Sequence, residues 1–292
     1  MEARLERVLI VGTGLLGCST GLALRAAGFA GLIGGWDKDA RQLQTAVARG
    51  AVEQAATSAE DALHTAGAMD LILLSGPVYA ILDWMQKLAP VLRPHQLVSD
   101  VGSTKALITT SAERLFAGTE RAGFLPGHPM AGKETGGAAS AEAALFRDAA
   151  WIFTQSPLQS LPSAAQGVAS AWREWVTRIG AIPVDMNAAE HDELLAWTSH
   201  LPQFVATALA AELQSRLGNS AARGQIGGRA LREMTRLGAS PFSMWRDIAA
   251  TNAEAIAAAL LAVEQRLAHI RENLRTPELR DEFDQANRFR SS

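Results

Sequence analysis

The residues best able to do chemistry fall in a few short runs of this 292-residue chain. Val8-Leu-Ile-Val-Gly12-Thr13-Gly14-Leu15-Leu16-Gly17 places three glycines between an apolar run and a helical stretch. Such a turn lets a pyrophosphate approach a helix N-terminus, where free N–H groups and a partial positive charge await it. Glycine-rich turns are common, but this one has both flanks that the dinucleotide reading requires. Asp37 follows about 20 residues on, at the end of a second apolar run, where an acid accepts from ribose hydroxyls and repels a 2′-phosphate. That favours NAD over NADP, although Lys38 and Arg41 nearby can tolerate a phosphate. Two polar clusters come later: Ser99-Asp100-Val101-Gly102-Ser103-Thr104-Lys105, and Pro126-Gly127-His128-Pro129-Met130-Ala131-Gly132-Lys133-Glu134. Proline holds the residue before it in extended backbone, so the His128 ring hangs from a fixed main chain. An imidazole titrates near neutrality and suits a general base. A plain loop histidine is the ordinary alternative.

Alternating elements must position these runs. Strands are expected at Val8–Val11, Gly31–Trp36, Leu71–Leu74 and Leu97–Ser99. Helices are expected over Leu15–Ala27, Ala40–Arg49, from about Val78 to Leu88, and over Thr104–Phe116. This alternation predicts a parallel, doubly wound, Rossmann-like sheet with helices on both faces. Ligands of such sheets lie beyond the C-terminal strand ends, so Ser75-Gly76-Pro77 borders the cofactor and the two polar clusters face its nicotinamide. Gly127–Gly137 reads as a glycine-rich loop, Ala150–Thr154 as a strand, Ala164–Ile179 as a helix after a loop with Pro157 and Pro162, and Ile182–Asp185 as one more strand. From Asn187 the strand signals stop and Ala/Leu-rich helices take over. The expected division is therefore an α/β domain over 1–186 and an all-α domain over 187–292. Asn187 is placed to cap the first of these helices, with Glu190 three residues on. A kink is expected at Pro202.

Composition narrows the classes. Twenty-seven basic and 30 acidic side chains give a formal charge of -3. No basic surplus points to nucleic acid or to an anionic membrane. A single cysteine, Cys18, leaves no internal disulfide framework and no multi-cysteine metal site. Neither a secretory leader nor a membrane span is evident, so a cytoplasmic protein is expected. His191 and His200 would face opposite sides of a straight helix, so they do not make a zinc pair, and no metal is expected.

Five blocks in order give the chain its resemblance: the glycine run Gly12-x-Gly14-x-x-Gly17, Asp100-Val-Gly-Ser103-x-Lys105, Gly127-His128-Pro129-Met130-Ala131-Gly132-x-Glu134, Ser199-His200-Leu201-Pro202, and Thr235-Arg236 with Met244-Trp245-Arg246-Asp247-Ile248. Over nearly its whole length the chain resembles the prephenate/arogenate dehydrogenase family. The resemblance implies NAD-dependent oxidative decarboxylation of a cyclohexadienol that bears a ring carboxylate. It makes His128 the base on the ring hydroxyl, Ser103 the residue that orients that hydroxyl with the nicotinamide, and Arg236 the partner of a substrate carboxylate. Glu134, His200, Gln203 and Trp245 fall on the substrate side. It also implies a homodimer paired through the helical half.

One departure is visible. Family members often carry histidine after Leu-Pro, where this chain has Gln203. A glutamine cannot become cationic, so the tyrosine feedback associated with that histidine does not carry over by residue type. Asp148, just before the strand Ala150–Thr154, is a candidate for choosing arogenate through its ammonium; a turn residue is the alternative. Two other functions compete. Dehydrogenases of the β-hydroxyacid type use a lysine on the helical half, but no lysine follows Lys133. A non-catalytic dinucleotide-binding regulator need not keep Ser103, His128 and Arg236 together.

Overall fold

The computed structural model of the chain describes residues 5–118, 120–154, 161–218 and 227–291. Residues 1–4 and Pro157 of the expected proline loop lie outside them. The chain forms two compact units: Met1–Asp192 with Ser240–Thr251, and Glu193–Ala239 with Asn252–Ser292.

In the first unit, β1 (Arg7–Val11), β2 (Leu32–Trp36), β3 (Gln54–Ala55), β4 (Leu71–Leu74), β5 (Leu97–Asp100) and β6 (Gly123–Leu125) form a parallel sheet in the order β3-β2-β1-β4-β5-β6. The apolar runs are continuous because both faces are covered. Val8 and Ile10 pack into one layer, with Cys18 and Leu24 of α1 (Leu15–Ala26) and Trp172 of α6 (Ser163–Arg178). Leu9 and Val11 pack into the other, with Ile81 and Met85 of α4 (Val78–Leu88) and Ile108 of α5 (Ala106–Leu115). Strand order reverses between β1 and β4. The glycine turn after β1 and Ser75–Pro77 after β4 therefore flank the crevice where such sheets bind ligands.

The later strands do not extend this sheet. Gly127–Pro129, expected as loop, is a strand (β7). It pairs antiparallel with β8 (Ala150–Thr154), which runs parallel to β9 (Ile182–Met186). Pro129 can sit there because β7 is the edge of this three-stranded sheet, where an N–H is dispensable. His128 is thus held by ladder pairing opposite Ile152. The short elements β3, β6 and α3 (Ala59–Ala66) carried too little pattern to be expected. Asn187 does cap α7 (Ala188–Leu195), its side chain accepting from the Ala189 N–H at 2.8 Å.

The second unit is helical. A π-helical turn, Ala196–His200, leads into α8 (Leu201–Leu217), with Pro202 in the first turn. Pro202, which lacks an N–H, thus sits inside a continuous helical run, just after the wider π turn that ends at His200. Segments Arg229–Thr235, Ala253–Glu272 and Glu278–Ser291 also belong to this unit. The helix Phe242–Thr251 belongs to the first unit. Its buried Asp247 accepts from the Tyr79 N–H at 3.2 Å, at the N-terminus of α4.

The two sheets of the first unit meet at a buried ion pair. Lys105 Nζ contacts Asp100 Oδ2 at the end of β5 and donates to Gly127 O at the start of β7, 2.7 Å away. Both side chains are completely buried. Removing one partner strands the other's charge in the interior, which costs about 3–5 kcal/mol. Lys105→Met should therefore lower the unfolding free energy by that amount, and adding Asp100→Asn should recover part of the loss. A single variant within about 1 kcal/mol of wild type would show that the pair is not needed.

Candidate active site

At two of its three positions the glycine turn admits only glycine. Gly12 has φ of +96°, and a Cβ there would lie 2.3 Å from Ser75 O; a Cβ on Gly17 would lie 2.0 Å from Gly12 O. Gly14, the N-cap of α1, has nothing within 4 Å of its Cβ position. Leu15 and Leu16 follow as the first helical residues, so the open point of the turn coincides with the helix N-terminus. Asp37 ends β2 and accepts from the Thr13 N–H at 2.6 Å and the Thr13 hydroxyl at 3.3 Å. It lines a cavity of about 230 Å³ together with Gly12, Gly14, Ser75, Gly76 and Pro77. The Ser75 Oγ is buried with no hydrogen-bond partner among the described residues. The Trp36 and Trp84 rings, 4.9 Å apart, form an apolar side of this cavity. An apolar wall, an acid at a strand end and an unsatisfied hydroxyl fit a nucleoside phosphate.

The second constellation starts from Asp100. Its Oδ2 accepts from the Gly102 N–H at 2.8 Å and its Oδ1 from the Gly127 N–H at 3.1 Å. Ser103 and His128 therefore each sit one residue from a contact to the same carboxylate. A Cβ on Gly127 would lie 2.8 Å from Asp100 O, so β7 approaches β5 more closely than any side chain allows. His128 is 7% exposed. Its Nδ1 lies 2.8 Å from His191 Nε2, and His191 Nδ1 lies 2.8 Å from Asp192 Oδ1. Asp192 in turn accepts from the Lys105 and Ala106 N–H groups, at 2.7 and 2.8 Å, where α5 begins.

Three members of this chain, Lys105, His191 and Asp192, had no site role in the sequence reading. His191 was weighed there only as a metal partner of His200. The legible signal was an adjacent His-Asp pair just inside a capped helix.

The remaining candidates lie on other elements. Trp245 is half-buried on Phe242–Thr251, two residues before Asp247. Thr104, next to Ser103, reaches Thr251 of the same helix at 2.7 Å. Glu134 is exposed on the loop after β7, beside Lys133, which donates to Ser140 O at 3.0 Å and pairs with Glu142. Asp148 is exposed, has φ of +61°, and donates its N–H to Gly180 O at 2.8 Å. Aspartate tolerates that left-handed conformation, so the turn alone accounts for it.

In the second unit, His200 is buried and pairs with Asn252 at 3.2 Å. Gln203 is 4% exposed and donates to Leu237 O at 2.7 Å, which holds α8 to the turn carrying the exposed Arg236.

Burial lowers the pKa of His191 from its ordinary 6.5; Asp192 opposes that shift and Lys105 adds to it. The native state therefore keeps this ring neutral while the unfolded chain protonates it. Stability from this source is full above pH 6.5 and declines as pH falls below it. The unfolding free energy should drop between about pH 7.5 and about pH 5.5 by more in wild type than in His191→Gln. Equal drops in the two proteins would remove His191 from that acid sensitivity.

Residues 20–179 match the family described as prephenate dehydrogenase, nucleotide-binding domain, and residues 187–287 match prephenate dehydrogenase, dimerization domain. A prephenate dehydrogenase of Lactococcus lactis is 28% identical over 251 residues, 86% of this chain and 66% of that protein. A cyclohexadienyl dehydrogenase of Zymomonas mobilis is 30% identical, over 86% of this chain and 82% of that one. The chain thus spans about two thirds of the first of these relatives. Among solved structures, prephenate dehydrogenase from A. aeolicus in complex with hydroxyphenyl propionate and NAD+ superposes with a TM-score of 0.87 at 28% identity, covering 100% of this chain and 99% of that one. Synechocystis arogenate dehydrogenase gives 0.77 at 27% identity, over 97% and 98%. With its glycine turn, its His128 constellation and a family match running through both halves, the chain belongs to the prephenate dehydrogenase family.

Proposed function

We propose that this protein oxidises and decarboxylates prephenate, arogenate or both, with NAD as the oxidant. The observation that carries this reading is that Gly102 and Gly127, the residues just before Ser103 and His128, both donate to the buried Asp100 carboxylate, in the unit that also holds the glycine-turn cavity. The A. aeolicus relative, crystallised with NAD+ and a hydroxyphenyl acid, supports it.

Gly12, Thr13, Gly14, Leu15, Leu16 and Gly17 would hold the pyrophosphate, Asp37 the ribose, and Ser75, Gly76, Pro77 and Ser103 the stretch toward the nicotinamide. NAD, when bound, supplies the acceptor for a hydride from the carbinol carbon. His128 takes the proton of the ring hydroxyl as that hydride leaves, which relieves positive charge developing at the same carbon. The ring carboxylate departs as carbon dioxide, and its bonding pair completes the aromatic ring. The oxygen then regains a proton as the phenol. Aromatisation makes the step downhill, so the protein chiefly has to orient the groups and exclude water.

Ser103 orients the hydroxyl, and Arg236 pairs with a substrate carboxylate through two parallel hydrogen bonds. Glu134, His200, Gln203 and Trp245 are assigned to the substrate side on the family pattern. The second half is read as the pairing surface of a homodimer, the commonest closed symmetry, on the strength of its match to a dimerization domain. Among the described residues no helix is long and apolar enough to cross a membrane, and a cytoplasmic site of action goes with this reading.

His128→Asn should keep nucleotide and substrate binding and lose about 10²–10⁴-fold in kcat. Arg236→Lys should act mainly by raising KM, since lysine cannot reproduce the bidentate geometry. Steady-state kinetics on prephenate and arogenate separate the two effects. Near-normal turnover in His128→Asn would rule out the assigned base.

A further inference from the structure

A histidine can serve as a base through only one nitrogen at a time, and its surroundings decide which. The contacts around His128 fix that choice. Asp192 accepts two backbone N–H groups at the start of α5, one at each oxygen. It is 4% exposed and has Lys105 close by. With a backbone N–H aimed at each oxygen, this carboxylate is held as an acceptor. His191 must therefore donate its Nδ1–H to Asp192 Oδ1 across the 2.8 Å contact. Completely buried and neutral, it then presents a lone pair at Nε2. His128 faces that lone pair with Nδ1, at 2.8 Å, and must donate its own Nδ1–H. Its remaining lone pair is then at Nε2.

We propose that His191 and Asp192 are positioning residues that lock His128 in its Nδ1–H tautomer, so that Nε2 is the atom that takes the substrate's hydroxyl proton. This rests on the assignment of His128 as base, but the lock itself is a property of the protein without ligands. The anchor at the far end is the backbone of α5, whose first N–H groups have no partner within the helix. Protonation of His128 at Nε2 during the reaction leaves the Nδ1–H bond in place. The ring therefore need not turn to change charge state, and the Asp192 carboxylate lies two hydrogen bonds from the cation formed. Free imidazole favours the opposite, Nε2–H tautomer, which would offer the substrate a donor in place of an acceptor.

The test uses the full chain with ¹⁵N-labelled histidine. In ligand-free wild type, His128 should show a protonated Nδ1 and an unprotonated Nε2. His191→Gln should preserve this pattern, because the amide oxygen accepts from His128 while the amide nitrogen donates to Asp192. Its kcat should stay within about tenfold of wild type. His191→Leu removes the acceptor, so the His128 signals should move toward the Nε2–H form, and kcat should fall by a further factor of about 10–100 with KM little changed. An Nε2–H His128 in wild type would overturn the lock without any variant. So would equal tautomer patterns and equal kcat in the Gln and Leu variants. If the nitrogen pattern holds and follows the substitutions while neither prephenate nor arogenate is oxidised, the lock stands and the assigned reaction fails.

Discussion

A carboxylate and an ammonium, both fully shielded from water, occupy the junction between the two sheets of the first unit. Asp100 and Lys105 have no exposed surface there, so protein groups must meet their charges. Those groups include the N–H groups of Gly102 and Gly127 and the carbonyl of Gly127. Satisfying the charges therefore fixes two backbone segments at once, the loop that bears Ser103 and the strand that bears His128. The Lys105 main chain also helps bind Asp192, which ties α7 to the same point. An energetic demand that is costly in isolation thus becomes a geometric specification of the site.

The fold's larger elements were legible because their patterns are strong. The run Leu71–Leu74 and the helix Val78–Leu88 follow from uninterrupted apolar residues and from helical periodicity, and both have the expected bounds. The glycine turn was legible because close approach permits no other residue at Gly12 and Gly17. β7 was not legible. Three residues ending in proline carry no alternation, and what makes them a strand is long-range pairing to β8 and to Asp100. For the same reason the return of Phe242–Thr251 to the first unit could not be read. It depends on Asp247 meeting the start of α4, 168 residues away in the chain.

In the candidate site, His128 and Ser103 were recognisable by type and spacing. Lys105 lay within a quoted block but had no assigned role, because a lysine in a polar loop ordinarily reaches solvent, and only the three-dimensional closure buries it. His191 escaped for a different reason. Its use depends on which face of α7 meets β7, and a helix pattern alone does not say what lies opposite. Asp148 is the converse case: the sequence offers an acid for substrate choice or a turn residue, and its left-handed backbone gives the turn a local reason.

In the proposed reaction every hydride passed to the nucleotide is matched by the loss of one ring carboxylate as carbon dioxide. The most direct measurement is the stoichiometry of the wild-type reaction. Purified protein would be incubated with NAD and prephenate, and separately with NAD and arogenate, while reduced nucleotide and released carbon dioxide are quantified together. With at least one of the two substrates, one carbon dioxide should be released for each nucleotide reduced, and an aromatic product should form. Reduction without carbon dioxide, or no reduction with either substrate, would contradict the proposed reaction.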